Sequence, residues 1–64
     1  MNATERIQSA IVRLEQVKAV QPLKSHKRMN AELGILRRWL EYRPLPMEEP
    51  VLALADAILG PDPH

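Results

Sequence analysis

The chain has 64 residues, a net charge of +1 and no cysteine. A chain of this length forms at most one domain and buries only about 60% of the surface that it exposes when unfolded; the lack of cysteine excludes disulfides, thiol catalysis and thiolate metal sites. Well-made helix packing or association with a partner must therefore stabilise the fold.

The first predicted helix spans residues 3–20. Asn2, with Glu5 three residues later, has the spacing of a capping box, and Pro22 ends the helix because it biases Gln21 away from helical geometry. Apolar side chains recur at steps of three and four residues, which places them on one face of a helix. They are Ile7, Ala10, Ile11, Leu14 and Val17.

The second predicted helix spans residues 25–42. Ser25 is the expected N-cap, and Pro44 and Pro46 stop the helix. Gly34 costs about 1 kcal/mol relative to alanine in a helix interior, which suggests that another group approaches the backbone there. The apolar stripe of this helix consists of Met29, Leu33, Leu36 and Leu40.

The third predicted helix spans residues 47–59. Glu48 and Glu49 suit the positive end of its dipole, and Gly60 followed by Pro61 is a strong C-terminal stop. Its apolar stripe consists of Val51, Leu54, Ala55 and Ile58.

Three amphipathic helices joined by short connections predict an all-α fold, a small three-helix bundle with up-down-up topology. We expect one helical domain over residues 1–60 and a frayed tail over residues 61–64. The predicted core consists of Ile7, Ile11, Leu14, Val17, Met29, Leu33, Leu36, Leu40, Val51, Leu54 and Ile58.

Charge is distributed unevenly, with a net +5 over residues 1–43 and −4 over residues 44–64. The outer face of the second helix carries a basic group that suits nucleic-acid phosphates. It consists of Lys24, Lys27, Arg28 and Arg38.

In the other interpretation the acidic half of the chain neutralises the basic half. Asp56 and Asp62 would then face the start of the second helix, and Glu48 and Glu49 would lie near Arg37, Arg38 and Arg43.

Several apolar side chains lie outside the main stripes, more than so small a monomer is expected to cover, and a contiguous exposed patch marks an interface. Trp39 can be read either as the largest core residue or as an interface residue. For the group together we predict an interface with a protein, either a second copy in a homodimer or another factor. The predicted protein-binding residues are Trp39, Ile35, Arg38, Tyr42 and Val12.

The residues give little support for chemistry. Ser25 and His26 are adjacent, but neighbours in a helix point about 100° apart, which is poor geometry for a nucleophile and its base. His26 and His64 have no metal-ligand spacing, and there is no glycine loop to hold phosphate. We therefore expect no enzyme, no cofactor, no metal and no small-molecule substrate. His26 is interpreted as a surface residue or a capping donor.

No apolar run approaches the roughly 20 residues of a membrane span, and the first residues lack the form of a secretion signal. We therefore expect cytoplasmic residence and no membrane partner.

The segments 26–37 and 51–60, with the sequences HKRMNAELGILR and VLALADAILG, resemble small uncharacterised helical proteins of actinobacteria and actinophages. The resemblance implies a bacterial cytoplasm and a phage or prophage setting, and it implies no catalytic or binding residues. Taken together, the sequence predicts a non-enzymatic helical interaction module, with a small nucleic-acid-binding protein as the alternative.

Overall fold

The computed structural model describes residues 2–60, which form three α-helices and one 3₁₀ turn. Helix α1 spans Ala3–Val20, α2 spans Leu23–Tyr42 and α3 spans Glu48–Leu59; the 3₁₀ turn, Leu45–Met47, precedes α3. The predicted all-α three-helix fold is confirmed, and no strand occurs in this part of the chain. The tail predicted over residues 61–64 lies outside the described residues.

The start of α1 matches the prediction. The Asn2 side-chain oxygen accepts a hydrogen bond from the backbone N–H of Glu5 at 2.8 Å. This bond satisfies one of the four N–H groups that have no partner within the first turn of a helix.

The start of α2 differs from the prediction. The helix begins at Leu23, and the N-cap is Pro22, which makes no side-chain cap bond. Ser25 lies inside the first turn and donates its N–H to the Pro22 carbonyl at 2.9 Å, so it is not the cap. Proline has a φ already close to the helical value, so it can precede the first turn without a capping side chain.

Gly34 also differs from the prediction. It lies in the interior of α2 and is exposed. A Cβ added at this position would meet no neighbouring atom within 4 Å. The expectation that another group approaches the backbone at Gly34 is therefore wrong, and the packing of the helices does not require a glycine there.

His26 joins the end of α1 to the start of α2. Its Nε2 lies 2.9 Å from the Lys18 carbonyl oxygen and 3.0 Å from that of Gln21. Because carbonyl oxygens only accept hydrogen bonds, Nε2 must carry the proton and donate it. The ring therefore acts as a capping donor for carbonyls at the C-terminus of α1 and closes the short turn between the two helices.

The end of α2 is a left-handed cap at Arg43, with φ 48° and ψ 50°. Its N–H donates to the Trp39 carbonyl at 2.6 Å, and its Nε donates to the Leu40 carbonyl at 3.3 Å. This conformation costs a residue with a Cβ about 1–2 kcal/mol. Both bonds offset that cost because they satisfy carbonyls that the helix end leaves free.

The core is shared by all three helices. Every residue predicted for the core is buried or half-buried. Ala10 of α1 and Ala55 of α3 are completely buried and are absent from the predicted core. Their small side chains allow close approach, and α1 and α3 make the most extensive contact between any two helices. The central cluster consists of Ile7, Ala10, Leu36, Trp39, Val51 and Ala55.

The molecule is flat, with extents of 34 × 31 × 14 Å. A closed three-helix bundle places its axes at the corners of a triangle, about 8–10 Å apart, and has one long and two short dimensions. Here α1 packs extensively against both other helices, whereas α2 and α3 make the least extensive contact. The predicted three-helix bundle is thus flat, with α1 packed against both of the other helices.

Replacing Asn2 with alanine removes the α1 cap, and we expect it to lower the free energy of unfolding by about 1 kcal/mol. Urea denaturation followed by the fluorescence of the single tryptophan measures the loss. Asn30→Ala, at an exposed position inside α2, is the control and should not lower stability, because alanine is the better helix former. Equal effects of the two variants would contradict a capping role for Asn2.

Candidate protein-docking surface

Trp39, predicted as one of the interface residues, is a core residue. Its side chain is only 5% exposed and belongs to the central cluster, which also contains residues of α1 and α3. The indole Nε1 donates to the Pro44 carbonyl at 3.2 Å, so the ring also holds the start of the α2–α3 connection. Of the two interpretations of Trp39, the structure supports the core residue, because a ring this deeply buried leaves almost no surface for a partner.

Four of the seven large apolar side chains that are exposed among residues 2–60 lie on the second half of α2 and in the connection that follows it. Tyr42 is 69% exposed and Leu45 is 78% exposed, while Ile35 and Met47 are about half exposed. Arg38, also exposed, lies on the same outer face of α2 as Ile35 and Tyr42, at helical steps of three and four residues. We call this surface the docking face. It consists of Ile35, Arg38, Tyr42, Leu45 and Met47.

Charged side chains of both signs lie close in sequence to the apolar residues of the docking face. Arg38 belongs to the face and Arg43 follows α2, whereas Glu48 and Glu49 lie at the start of α3. None of these four forms a salt bridge within residues 2–60. The expected pairing of the two glutamates with the arginines of α2 is therefore absent from the described chain.

Arg37 and Asp56 have other partners. Arg37 forms an ion pair with Glu15 of α1 at 3.1 Å, and Asp56 of α3 pairs with Arg6 of α1. The expectation that Asp56 neutralises the start of α2 is wrong, because the position of α3 beside α1 places this carboxylate near Arg6. Asp62 lies outside the described residues.

The opposite end of α2 carries a cationic surface, which we call the basic tip. It consists of Lys18, Lys24, Lys27 and Arg28. Arg28 pairs with Glu32 at 3.4 Å, whereas Lys24 and Lys27 are exposed and have no ion-pair partner among residues 2–60. Arg38, predicted to act with these residues on nucleic acid, lies ten positions after Arg28, which is about 15 Å along the helix.

Val12 is about half exposed, but it does not belong to the docking face. It lines a shallow groove of about 440 Å³ between α1 and the end of α3. The groove is open to solvent, so it does not enclose a ligand. Its lining residues are Glu5, Gln8, Ser9, Val12, Arg13, Gln16 and Leu59.

The side chains considered for catalysis or metal binding do not form a site. The Nε2 of His26 donates to two carbonyl oxygens, which gives the ring a structural role, and His64 lies outside the described residues. No cluster of three metal-ligating side chains occurs among residues 2–60. In the same range no helix is long and apolar enough to span a bilayer.

Sequence reasoning missed the exposed apolar side chains in the connections and at the helix ends beside them. Leu45 and Met47 of the docking face, and Val20 and Leu23 at the basic tip, are all half or more exposed. A signal is available for Leu45, because the prolines on both sides of it exclude the regular helix that would turn it inward.

Comparison with known protein families, with curated proteins and with solved structures finds no match. The resemblance to actinobacterial and actinophage proteins therefore stays a prediction. Any function for the chain must be argued from its own surfaces.

Replacing Trp39 with alanine should cost about 3–5 kcal/mol through the loss of a large buried side chain. A chain of this length has a total stability of roughly 3–10 kcal/mol, so thermal unfolding followed by circular dichroism should lose most or all of its cooperativity. Tyr42→Ala is the matched control, because it truncates the other aromatic ring at a position that is 69% exposed. It should change stability by no more than about 0.5 kcal/mol. Similar losses for both variants would contradict the different burial of the two rings.

Proposed function

We propose that the chain is a non-enzymatic helical module that binds a protein through the docking face. The observation that carries this proposal is the group of large apolar side chains, half or more exposed, at the end of α2 and in the connection to α3. Monomeric proteins rarely leave such side chains together, and patches of this kind mark interaction sites.

The composition of the docking face suits binding. Tyrosine, methionine and arginine are enriched in protein interfaces, and Tyr42, Met47 and Arg38 supply one of each. Burial of the apolar side chains provides affinity, while charged groups at the rim orient the partner and speed association.

Trp39 is buried and holds the connection that carries part of the docking face. Its bond to the Pro44 carbonyl holds the connection just before Leu45 and Met47. Ordering these residues before binding reduces the entropy lost in the complex. Trp39 thus acts by positioning the surface rather than by contacting the partner.

The cellular setting of the proposal is the bacterial cytoplasm, in a phage-infected host or a host that carries a prophage. This part rests on the sequence resemblance of segments 26–37 and 51–60.

The proposal predicts covalent capture of a protein from the docking face. A photoreactive phenylalanine analogue placed at Leu45 should give a protein adduct on illumination of cells that naturally express the chain. The matched control is the same analogue at Leu23, which is 83% exposed but lies at the other end of α2.

The adduct should form at Leu45 and should weaken when Arg38→Glu is introduced into the same chain. A chain that gives no protein adduct at Leu45, or equal adducts at both positions, would show that the docking face has no protein partner.

Nucleic-acid binding is the second candidate, favoured by Lys24 and Lys27 of the basic tip, which are exposed and have no ion-pair partner among residues 2–60. The sequence interpretation includes four basic residues. Three of them, Lys24, Lys27 and Arg28, lie in the first turns of α2. Ion pairing between Arg28 and Glu32 reduces the charge that remains for phosphate.

The salt dependence of binding tests this candidate. Each phosphate contact contributes about 0.9 to the slope of log K against log salt for duplex DNA, so three contacts should weaken binding by roughly 40-fold between about 50 and about 200 mM salt. Fluorescence anisotropy with duplex and single-stranded DNA measures this, and Lys27→Glu should abolish it whereas Arg38→Glu should not. No binding at low salt would exclude the candidate.

A further inference from the structure

The two ends of α2 differ in their balance of charge. Residues 18–28 contain four basic residues and no acidic one. Residues 35–49 contain three of each sign and have no net charge. Two copies that met at the basic tip would repel each other, whereas two copies that met at the docking face would not.

The order of charges along this part of the chain allows a self-complementary contact. The exposed apolar side chains of Tyr42, Leu45 and Met47 lie between Arg38 and the Glu48–Glu49 pair in the sequence. A twofold pair brings each residue i of one copy against residue j of the other, and j against i. With the axis perpendicular to the line from the arginines to the glutamates, the arginines of each copy lie against the glutamates of the other.

The charged groups needed for this contact are free to make it. Arg38, Glu48 and Glu49 have no ion-pair partner among the described residues, and the side-chain hydrogen bond of Arg43 goes to a backbone carbonyl. An intermolecular pairing therefore does not have to break an existing salt bridge.

We propose that the partner of the docking face is a second copy of this chain, related by a twofold axis that sets Arg38 and Arg43 of one copy against Glu48 and Glu49 of the other. This inference rests on the proposed function, because it names the protein that the docking face binds.

The test is a charge reversal on each side of the face, measured by sedimentation equilibrium of the purified chain over a wide range of concentration. The unmodified chain should reach the mass of two copies. Arg38→Glu and Glu49→Arg should each weaken the pair by roughly 100-fold, since like charges in contact cost several kcal/mol and each 1.4 kcal/mol is a factor of ten.

Mixing the two variants should restore the pair. In a mixed pair, each reversed position meets its reversed counterpart and each unmodified position meets an unmodified one, so both contacts again join opposite charges. A variant that had merely unfolded would not be rescued in this way, and circular dichroism of each variant alone provides the direct check on folding.

Two matched controls separate this face from the rest of the surface. Leu45→Ser should disrupt the pair, whereas Leu23→Ser, at a similarly exposed position, should not. Lys24→Glu reverses a charge at the basic tip and should leave the pair intact.

A chain that stays monomeric, that forms assemblies larger than two copies, or whose pairing ignores both charge reversals overturns the inference. The proposed function is decided separately by the Leu45 adduct in cells. An adduct with a different protein would uphold the docking role while a monomeric mass rejected the second copy, and no adduct would reject the docking role itself.

Discussion

The structure depends on the burial of one indole ring. The chain has no phenylalanine and only two aromatic residues, so Trp39 is the largest side chain available to fill a core otherwise built from aliphatic groups and alanine. Its N–H must find an acceptor when it is buried, and the Pro44 carbonyl provides it. A single residue thereby fills the space between helices and holds the chain just after it leaves α2.

The exit from α2 explains why apolar side chains remain outside. Arg43 adopts a left-handed conformation and turns the chain away from the helix axis, and the prolines at 44 and 46 prevent the helix from continuing. The short connection then has too few residues to fold back over itself. Leu45, Met47 and Tyr42 therefore stay half or more exposed.

The helices and their apolar stripes are predictable from the sequence because they depend on local periodicity, and the bounds of α1 follow from residue spacing and its cap alone. Tertiary contacts are not local. Trp39 and Ile35 lie on different flanks of α2, and only the packing of the other helices decides that the first is buried and the second exposed. Ion pairs likewise depend on which helices are neighbours, so Asp56 joins Arg6 of α1 rather than the start of α2. The exposure of the residues in the candidate site therefore depends on tertiary packing and cannot be predicted from the sequence alone.

The basic tip and the docking face lie at opposite ends of α2 and are far enough apart to act independently. A helix of 20 residues is about 30 Å long, and that distance exceeds the Debye length of about 8 Å at physiological ionic strength. The basic tip therefore does not weaken association at the docking face through long-range repulsion. In the proposed pair, the docking faces meet at the centre and the two basic tips remain exposed on separate copies. Pairing and anion binding would then occupy different surfaces, and each can be disrupted by a substitution that leaves the other intact.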